Sequence, residues 1–328
     1  MEKHNITEFD IYGREPILAM MPDRSLICTF LTGGAIEPEN ANCVEVTRSF
    51  DGGATWTPRE VLFDHSTNGV WCTDIFTGGE HPMAAVHLYN STSQYRELQT
   101  LCSFTTDSGR TWSKPTSMRG TVNNCSLRQG FVLSNGDFLI PLYWQEATDN
   151  FDKSFCQPNP SPSGWLFRSG IGISSDRGAT WQRFGYFAAD TQLWEPNAVE
   201  VEPGHVILCC RSQTGYLFRT ESFDYGRTWS ELERTDIPNS DSKFHLFKLR
   251  GKILLIGNTV TAGRTGLAIR ISDDGKSFTK LIDIEPAEER WFYPHACADE
   301  EKEILYIAYE NAKQHRLVKY SFAELGLA

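Results

Sequence analysis

The chain has no apolar run of about 18 residues, the least that a membrane-crossing helix needs. It has no run of basic residues and no low-complexity tract. The opening residues Met1 to Glu8 lack the apolar segment of a secretion signal, which predicts a cytoplasmic protein. No phosphate-binding loop or dinucleotide fingerprint occurs, so no organic cofactor is implied. The nine cysteines are odd in number and scattered, include the neighbours Cys209 and Cys210, and form no CxxC pair. That pattern predicts reduced, mostly buried thiols, not a disulfide framework or a zinc site. His81 and His87 lie six apart on one strand, about 20 Å at ~3.3 Å per residue, too far to share a metal ion. A net charge of −11 argues against nucleic acid or an anionic membrane as the main partner. It leaves room for an anionic small ligand, because a cationic pocket can sit inside an acidic protein.

What the chain does have is a repeat. Among 328 residues, 40% hydrophobic and 12% aromatic, the signature S/T-x-D-x-G-x-T-W occurs four times. Its aspartates are Asp51, Asp107, Asp176 and Asp224, and its tryptophans Trp56, Trp112, Trp181 and Trp229. A degenerate fifth copy runs from Asp273 to Phe278, so successive aspartates are 56, 69, 48 and 49 residues apart. In each copy the aspartate suits capping of the turn's N–H groups, glycine supplies positive φ, and the aromatic ring anchors the hairpin. These aspartates are therefore structural. Five copies predict five blades, and the apolar runs between Trp291 and Phe322 predict a sixth, closed by a strand from the N-terminus. The predicted architecture is all-β, one six-bladed β-propeller domain over residues 1–328. A stretch rich in Pro, Ser, Asn and Asp, about 145–163, reads as a long loop inserted in the widest gap.

A second pattern lies upstream of each copy, where the innermost strand of a blade should begin. Its members are Arg14-Glu15-Pro16, Glu80-His81-Pro82, Leu127-Arg128-Gln129, Trp194-Glu195-Pro196-Asn197, Lys243-Phe244-His245 and Phe292-Tyr293-Pro294-His295. Strand entries that converge on one axis would line one funnel with acid, base and cationic groups. Arg211 and Arg264, at the far ends of inner strands, add cations. A cluster of Arg14, Arg128, Arg211 and Arg264 favours a sugar acid, because the guanidinium fork matches a carboxylate.

The repeat resembles the Asp-box (BNR) repeat of the sialidase superfamily, and the likeness extends over nearly the whole chain. Arg14-Glu15-Pro16 is similar to the family's Arg-Ile-Pro, whose arginine binds the substrate carboxylate. Glu195 with Arg211 looks like the family's glutamate and arginine pair, Arg264 falls where another clamp arginine is expected, and Tyr293 matches the nucleophilic tyrosine. The resemblance implies that the tyrosine attacks the anomeric carbon while the glutamate takes its proton. One departure is plain: sialidases carry an acid/base aspartate between the first arginine and the first repeat, and Leu31 to Asn42 contains none. Glu37 and Glu39 are the substitutes on offer. His81, His245 and His295 occupy positions where that pattern does not require histidine, and histidine suits proton transfer near neutral pH.

The leading reading is an exo-acting glycoside hydrolase that cleaves the bond to an acidic sugar, sialic-acid-like or uronate. Its catalytic candidates are Tyr293, Glu195, His81 and His295; its binding candidates are Arg14, Arg128, Arg211, Arg264, His245 and Asn197. Two alternatives stand beside it. A lyase would neutralise a uronate with arginine and eliminate with His and Tyr, and a glycan-binding propeller would do no chemistry.

Overall fold

A computed structural model describes residues 1–147 and 165–327. The chain divides into two compact units, residues 1–118 with 291–328, and residues 119–290. In chain order, β1 (Glu2–Glu8) precedes the first sheet, made of β2 (Gly13–Met20), β3 (Leu26–Thr32), β4 (Cys43–Ser49) and β5 (Glu60–Phe63). The second sheet comprises β6 (Gly69–Phe76), β7 (Met83–Asn90), β8 (Gln94–Phe104) and β9 (Thr116–Ser117). The third is built from β10 (Ser126–Leu127), β11 (Phe131–Val132), β12 (Phe138–Ala147), β13 (Trp165–Ser174) and β14 (Gln182–Phe187). The fourth holds β15 (Leu193–Glu202), β16 (His205–Ser212), β17 (Tyr216–Ser222) and β18 (Glu233–Pro238). The fifth holds β19 (His245–Leu249), β20 (Lys252–Asn258), β21 (Leu267–Ser272) and β22 (Phe278–Asp283). The sixth joins β23 (Phe292–Asp299), β24 (Ile304–Glu310) and β25 (Gln314–Ser321) to β1, and a single capped turn, α1 (Phe322–Leu325), follows.

Among the described residues these six antiparallel sheets give the fold class, a six-bladed β-propeller. Closure by the N-terminal strand is as expected: β1 pairs with β25, Glu2 opposite Lys319 through Glu8 opposite Gln314.

The inner strands are buried on both faces, as β3, β6 and β21 are at every position, whereas the outer strands β5, β18 and β22 are largely exposed. In the first unit, Leu26, Cys28 and Phe30 of β3 pack with Tyr306, Ala308 and Leu317 of the sixth sheet. Ile17, Ile27, Val44 and Val46 pack with Val70, Ala84 and Val86 of the second sheet. In the second unit, Ile207, Cys209 and Leu217 meet Phe244, Ile253 and Leu255. The eight cysteines among the described residues form no disulfide with one another, and five of them are buried.

Every repeat copy occupies the loop from the third to the fourth strand of its sheet. In the first, Thr55 donates its N–H and hydroxyl to Asp51 at 2.9 and 2.6 Å. The Ser49 hydroxyl donates to the same carboxylate and accepts from Gly53 N, both at 2.8 Å. Asp107, Asp176 and Asp224 repeat this geometry. Bonds from the threonine hydroxyl, then the backbone, hold the Asp107 and Asp176 carboxyls down at about 2. The sixth sheet has no copy for a topological reason. Its fourth strand is β1, from the other end of the chain, so that loop does not exist.

Two sequence expectations shift. The capping carboxylate of the fifth copy is Asp274, which accepts from Lys276 N and Ser277 N at 2.8 and 2.7 Å, whereas Asp273 pairs with Lys252. The copy is one residue shorter than the others, so its aspartate is displaced by one. Gln145, Glu146 and Ala147 belong to β12, paired with Phe167, Leu166 and Trp165, and are not loop. The rest of the expected insertion, up to residue 163, lies outside the described residues.

Gly226 shows what the repeat turn demands. Its φ is +85°, and a Cβ there would lie 2.6 Å from Ile171 Cδ1 in the neighbouring sheet. Gly136, in the turn before β12, has φ +90° with open space around it. Gly136→Ala is expected to cost about 1 kcal/mol for backbone strain alone. Gly226→Ala is expected to cost about 1–3 kcal/mol more, from overpacking. Denaturant unfolding of both variants checks this, and equal losses would contradict the packing role.

Candidate active site

In an antiparallel meander, the start of the first strand, the end of the second and the turn between the second and third share one end of the sheet. The chemistry-bearing residues of both units gather at that end. Three first strands also carry the same local device. The ladder shifts register between Arg14 and Ile17, between Trp194 and Asn197, and between Phe292 and His295. At each shift a residue that precedes proline is left-handed: Glu15 at φ +51°, Glu195 at +45° and Tyr293 at +56°. Residues before proline are normally extended. These are β-bulges that re-aim a side chain, at a cost of about 1–3 kcal/mol each.

In the first unit, Arg14 Nε donates to Glu310 Oε1 at 2.9 Å, and its guanidinium lies 4.8 Å from the centre of the Tyr293 ring. Glu310 is fully buried and also accepts from Glu15 N and Ala312 N, at 3.1 and 2.9 Å. Burial works against the charge on Arg14, but the Glu310 carboxylate outweighs it and keeps the guanidinium firmly protonated. Trp71 Nε1 donates to Glu15 Oε2 at 3.2 Å. Buried His295 accepts from Leu18 N at Nδ1, 3.3 Å, and its Nε2 lies 4.0 Å from Asp74.

Glu37 and Glu39 part company in the loop between β3 and β4. Glu39 is occupied by the loop itself, accepting from Ala35 N at 2.9 Å. Glu37 is half-buried and accepts hydroxyl bonds from Tyr12, at 3.3 Å, and Tyr95. Burial, then the charge of Glu37, pushes the Tyr12 phenol well above its usual range, so it stays a donor.

In the second unit, buried Glu195 lies between two guanidiniums. It accepts from Arg128 Nη2 at 3.0 Å and from Arg211 Nη1. Arg128 also donates to the Tyr143 hydroxyl at 2.9 Å. Arg211 lies 4.6 Å from the Trp194 ring and donates from Nε to Asp241 Oδ1 at 2.8 Å. Arg264, half-buried, donates to the Asp241 carbonyl at 2.8 Å. Burial would raise the Glu195 pKa, but the charges of Arg211 and Arg128 win and lower it to about 2. Asn197 Nδ2 reaches the Glu195 carbonyl at 3.4 Å. His245 is fully buried, and burial with the neighbouring Lys243 charge lowers it to about 3, so it is neutral at physiological pH.

The structure thus brings Arg14 and Tyr293 together in one unit, with His295 set against Leu18 N and Asp74, and Arg128, Glu195, Asn197, Arg211 and Arg264 together in the other. Arg211 and Arg264 are not at the far end of inner strands. Arg211 ends a second strand, opposite Trp194, and Arg264 sits in a second-to-third turn. His81 does not join either group: it is exposed in the turn between β6 and β7. The first strand there is β6, whose own entry supplies Trp71 and Asp74. Sequence reasoning also missed Glu310 and Asp241. Glu310 was findable, since it is the polar end of a second strand, directly opposite Phe292.

A family model described as BNR repeat-like domain matches residues 25–307. The chain is 26% identical over 319 residues to a sialidase of Bacteroides fragilis, covering 83% of this chain and 54% of that protein. It is 25% identical over 350 residues to a sialidase of Micromonospora viridifaciens, covering 95% and 52%. The chain spans about half the length of these curated relatives. Among solved structures, the Hadza microbial sialidase Hz136 superposes with a TM-score of 0.75 at 20% identity, covering 94% of this chain and 66% of that one. That likeness carries the fold.

The ion cluster makes a pH-dependent claim. Because the folded pKa of Glu195 is depressed, its contribution is complete above about pH 4.5 and is lost as pH falls through about 2. Glu195→Gln is expected to destabilise by about 3–5 kcal/mol at pH 7, since it leaves buried guanidiniums unneutralised. Denaturant unfolding at pH 7 and pH 3 should show the gap narrowing in acid; a constant gap would contradict the ion pairing.

Proposed function

Because the chain belongs to the BNR repeat-like domain family, we propose that it is a sialidase-type glycoside hydrolase that releases an acidic sugar. The observation that carries this is a cluster of cationic groups inside an acidic chain. In the second unit Arg128 and Arg211 flank Glu195, Lys243 adds its charge to theirs, and Arg211 and Arg264 converge on Asp241, although the whole chain carries −11. A ligand carboxylate is the natural complement, and guanidinium forks bind it in two-point fashion. A ligand that takes hydrogen bonds from Arg128 and Arg211 also relieves Glu195 of its cations. That raises its basicity towards the range where a carboxylate accepts a proton.

Tyr293 is assigned the attack. Its phenol oxygen bonds to the anomeric carbon, its proton leaves to a base, and the bond to the aglycone oxygen breaks. Water then hydrolyses the sugar–tyrosine bond and restores the phenol. A neutral nucleophile suits an anionic sugar, which would repel a carboxylate. Glu37 is assigned the proton donated to the leaving oxygen, in place of the aspartate that the sequence lacks. The Tyr12 and Tyr95 hydroxyls support that role by holding it in position.

Aryl α-sialosides and uronate oligosaccharides should be assayed in parallel, for released aglycone and for the ultraviolet absorbance of an unsaturated uronate. Aglycone release is expected, and Tyr293→Phe should reduce kcat/KM by about a thousandfold or more. Ultraviolet absorbance without aglycone would replace hydrolysis with elimination, and silence in both would favour a binding propeller. Glu37→Gln is expected to lose about 10²–10⁴-fold with an alkyl leaving group and much less with a nitrophenyl one, which departs without protonation. Equal losses on both substrates would remove Glu37 from the acid role.

A further inference from the structure

A groove between the outer strands of the fourth and fifth sheets, within the second unit, shares no residue with the cluster around Glu195. It has a volume of about 420 Å³, within the range of small-ligand pockets. Its cations are Arg219, Arg234, Arg270 and Lys276; its carboxylates are Glu233 and Asp236. Arg219 on β17 has a counter-ion, its cross-strand partner Glu233 on β18, at 2.5 Å, although its buried Nε has no hydrogen-bond partner. Lys276 pairs with Glu221 at 2.6 Å, and exposed Arg234 lies 4.6 Å from the Tyr216 ring.

Arg270 is different. It is 8% exposed, donates only from Nη2 to the Asn258 carbonyl, at 3.2 Å, and its buried Nη1 has no hydrogen-bond partner. Opposite Arg270, the fourth strand β22 presents Leu281. Burial lowers the pKa of Arg270 with nothing to offset it, and a buried charge without a counter-ion is costly. Phe278 and Ile237 add an apolar wall.

We propose that this groove is a second ligand site, for the oxyanion group of an acidic sugar, with Arg270 as its buried anchor and Arg234 at its mouth. The anion supplies the partner that Arg270 Nη1 lacks, and the apolar wall takes a sugar face. Nothing in this depends on the chain's being a hydrolase.

The test is calorimetric titration of glucuronate and of inorganic sulfate, at constant ionic strength, into the wild type, Arg270→Leu and Arg234→Ala. The wild type is expected to bind at least one of them saturably. Arg270→Leu should weaken that binding at least about tenfold, and Arg234→Ala by a few fold, with sialoside turnover unchanged. Glucuronate binding identifies a sugar acid as the occupant, and sulfate binding alone a tetrahedral oxyanion; each supports an anion site anchored on Arg270. In anion-free buffer Arg270→Leu should melt no lower than the wild type, because it removes an uncompensated charge. Equal binding by the wild type and both variants would overturn the proposal, as would absence of binding. Should Arg270→Leu fail to fold, the exposed Arg234→Ala carries the comparison by itself.

Discussion

Three prolines set the direction of the chemistry in this molecule. Each follows a residue forced into the left-handed region, Glu15, Glu195 or Tyr293, at the bulge that opens the first strand of a sheet. A proline can neither donate to the ladder nor let its predecessor relax into a helix. The bulge is therefore fixed, and the side chain before it leaves the alternation of the strand. Strain of this kind persists only where the surroundings over-determine it. Here they do. Glu310 accepts the Glu15 N–H, Trp71 holds the Glu15 carboxylate, and two guanidiniums hold Glu195.

Charge is arranged in two tiers. Five of the 42 acidic residues are held locally. The repeat carboxylates are saturated by their own turns, by serine and threonine hydroxyls and backbone N–H groups. Their fields are short-ranged at the exposed rim of the sheets, where water and salt screen them. Arg128 and Arg211 are buried and Arg14 is half-buried, so their fields are screened less. An acidic protein can in this way keep a cationic interior, and the two tiers answer to different physics: turn geometry outside, ion pairing inside.

Much of the fold was legible because the repeat is a local physical device with fixed spacing. Asp, Gly, Thr and Trp at set offsets build one turn, so the turns count the sheets, and closure by β1 follows from the apolar run left over. The fifth copy misled by one residue because Asp273 and Asp274 are adjacent and only geometry tells which one caps. The strand entries were legible at Arg14, Glu195 and Tyr293, where proline marks the bulge. They were misread at Glu80-His81-Pro82, where the same kind of tripeptide is a hairpin turn and leaves His81 in solvent. Asp241 was illegible, and Glu310 was legible only as the polar end of a second strand, not as the partner of Arg14. Each matters only because it stands beside an arginine far away in sequence or across a loop, and pairing of that kind is a product of register, not of motif.

The most direct test of the central claim, that the bulge aims Tyr293 at the sugar, is to trap the covalent intermediate. The protein would be mixed with an activated sialosyl donor fluorinated beside the anomeric carbon, which slows hydrolysis of the adduct, and then digested and mapped by mass spectrometry. A sugar adduct on the peptide containing Tyr293 is the expected result. Turnover of the donor with the adduct on a carboxylate, or with no adduct at all, would contradict it.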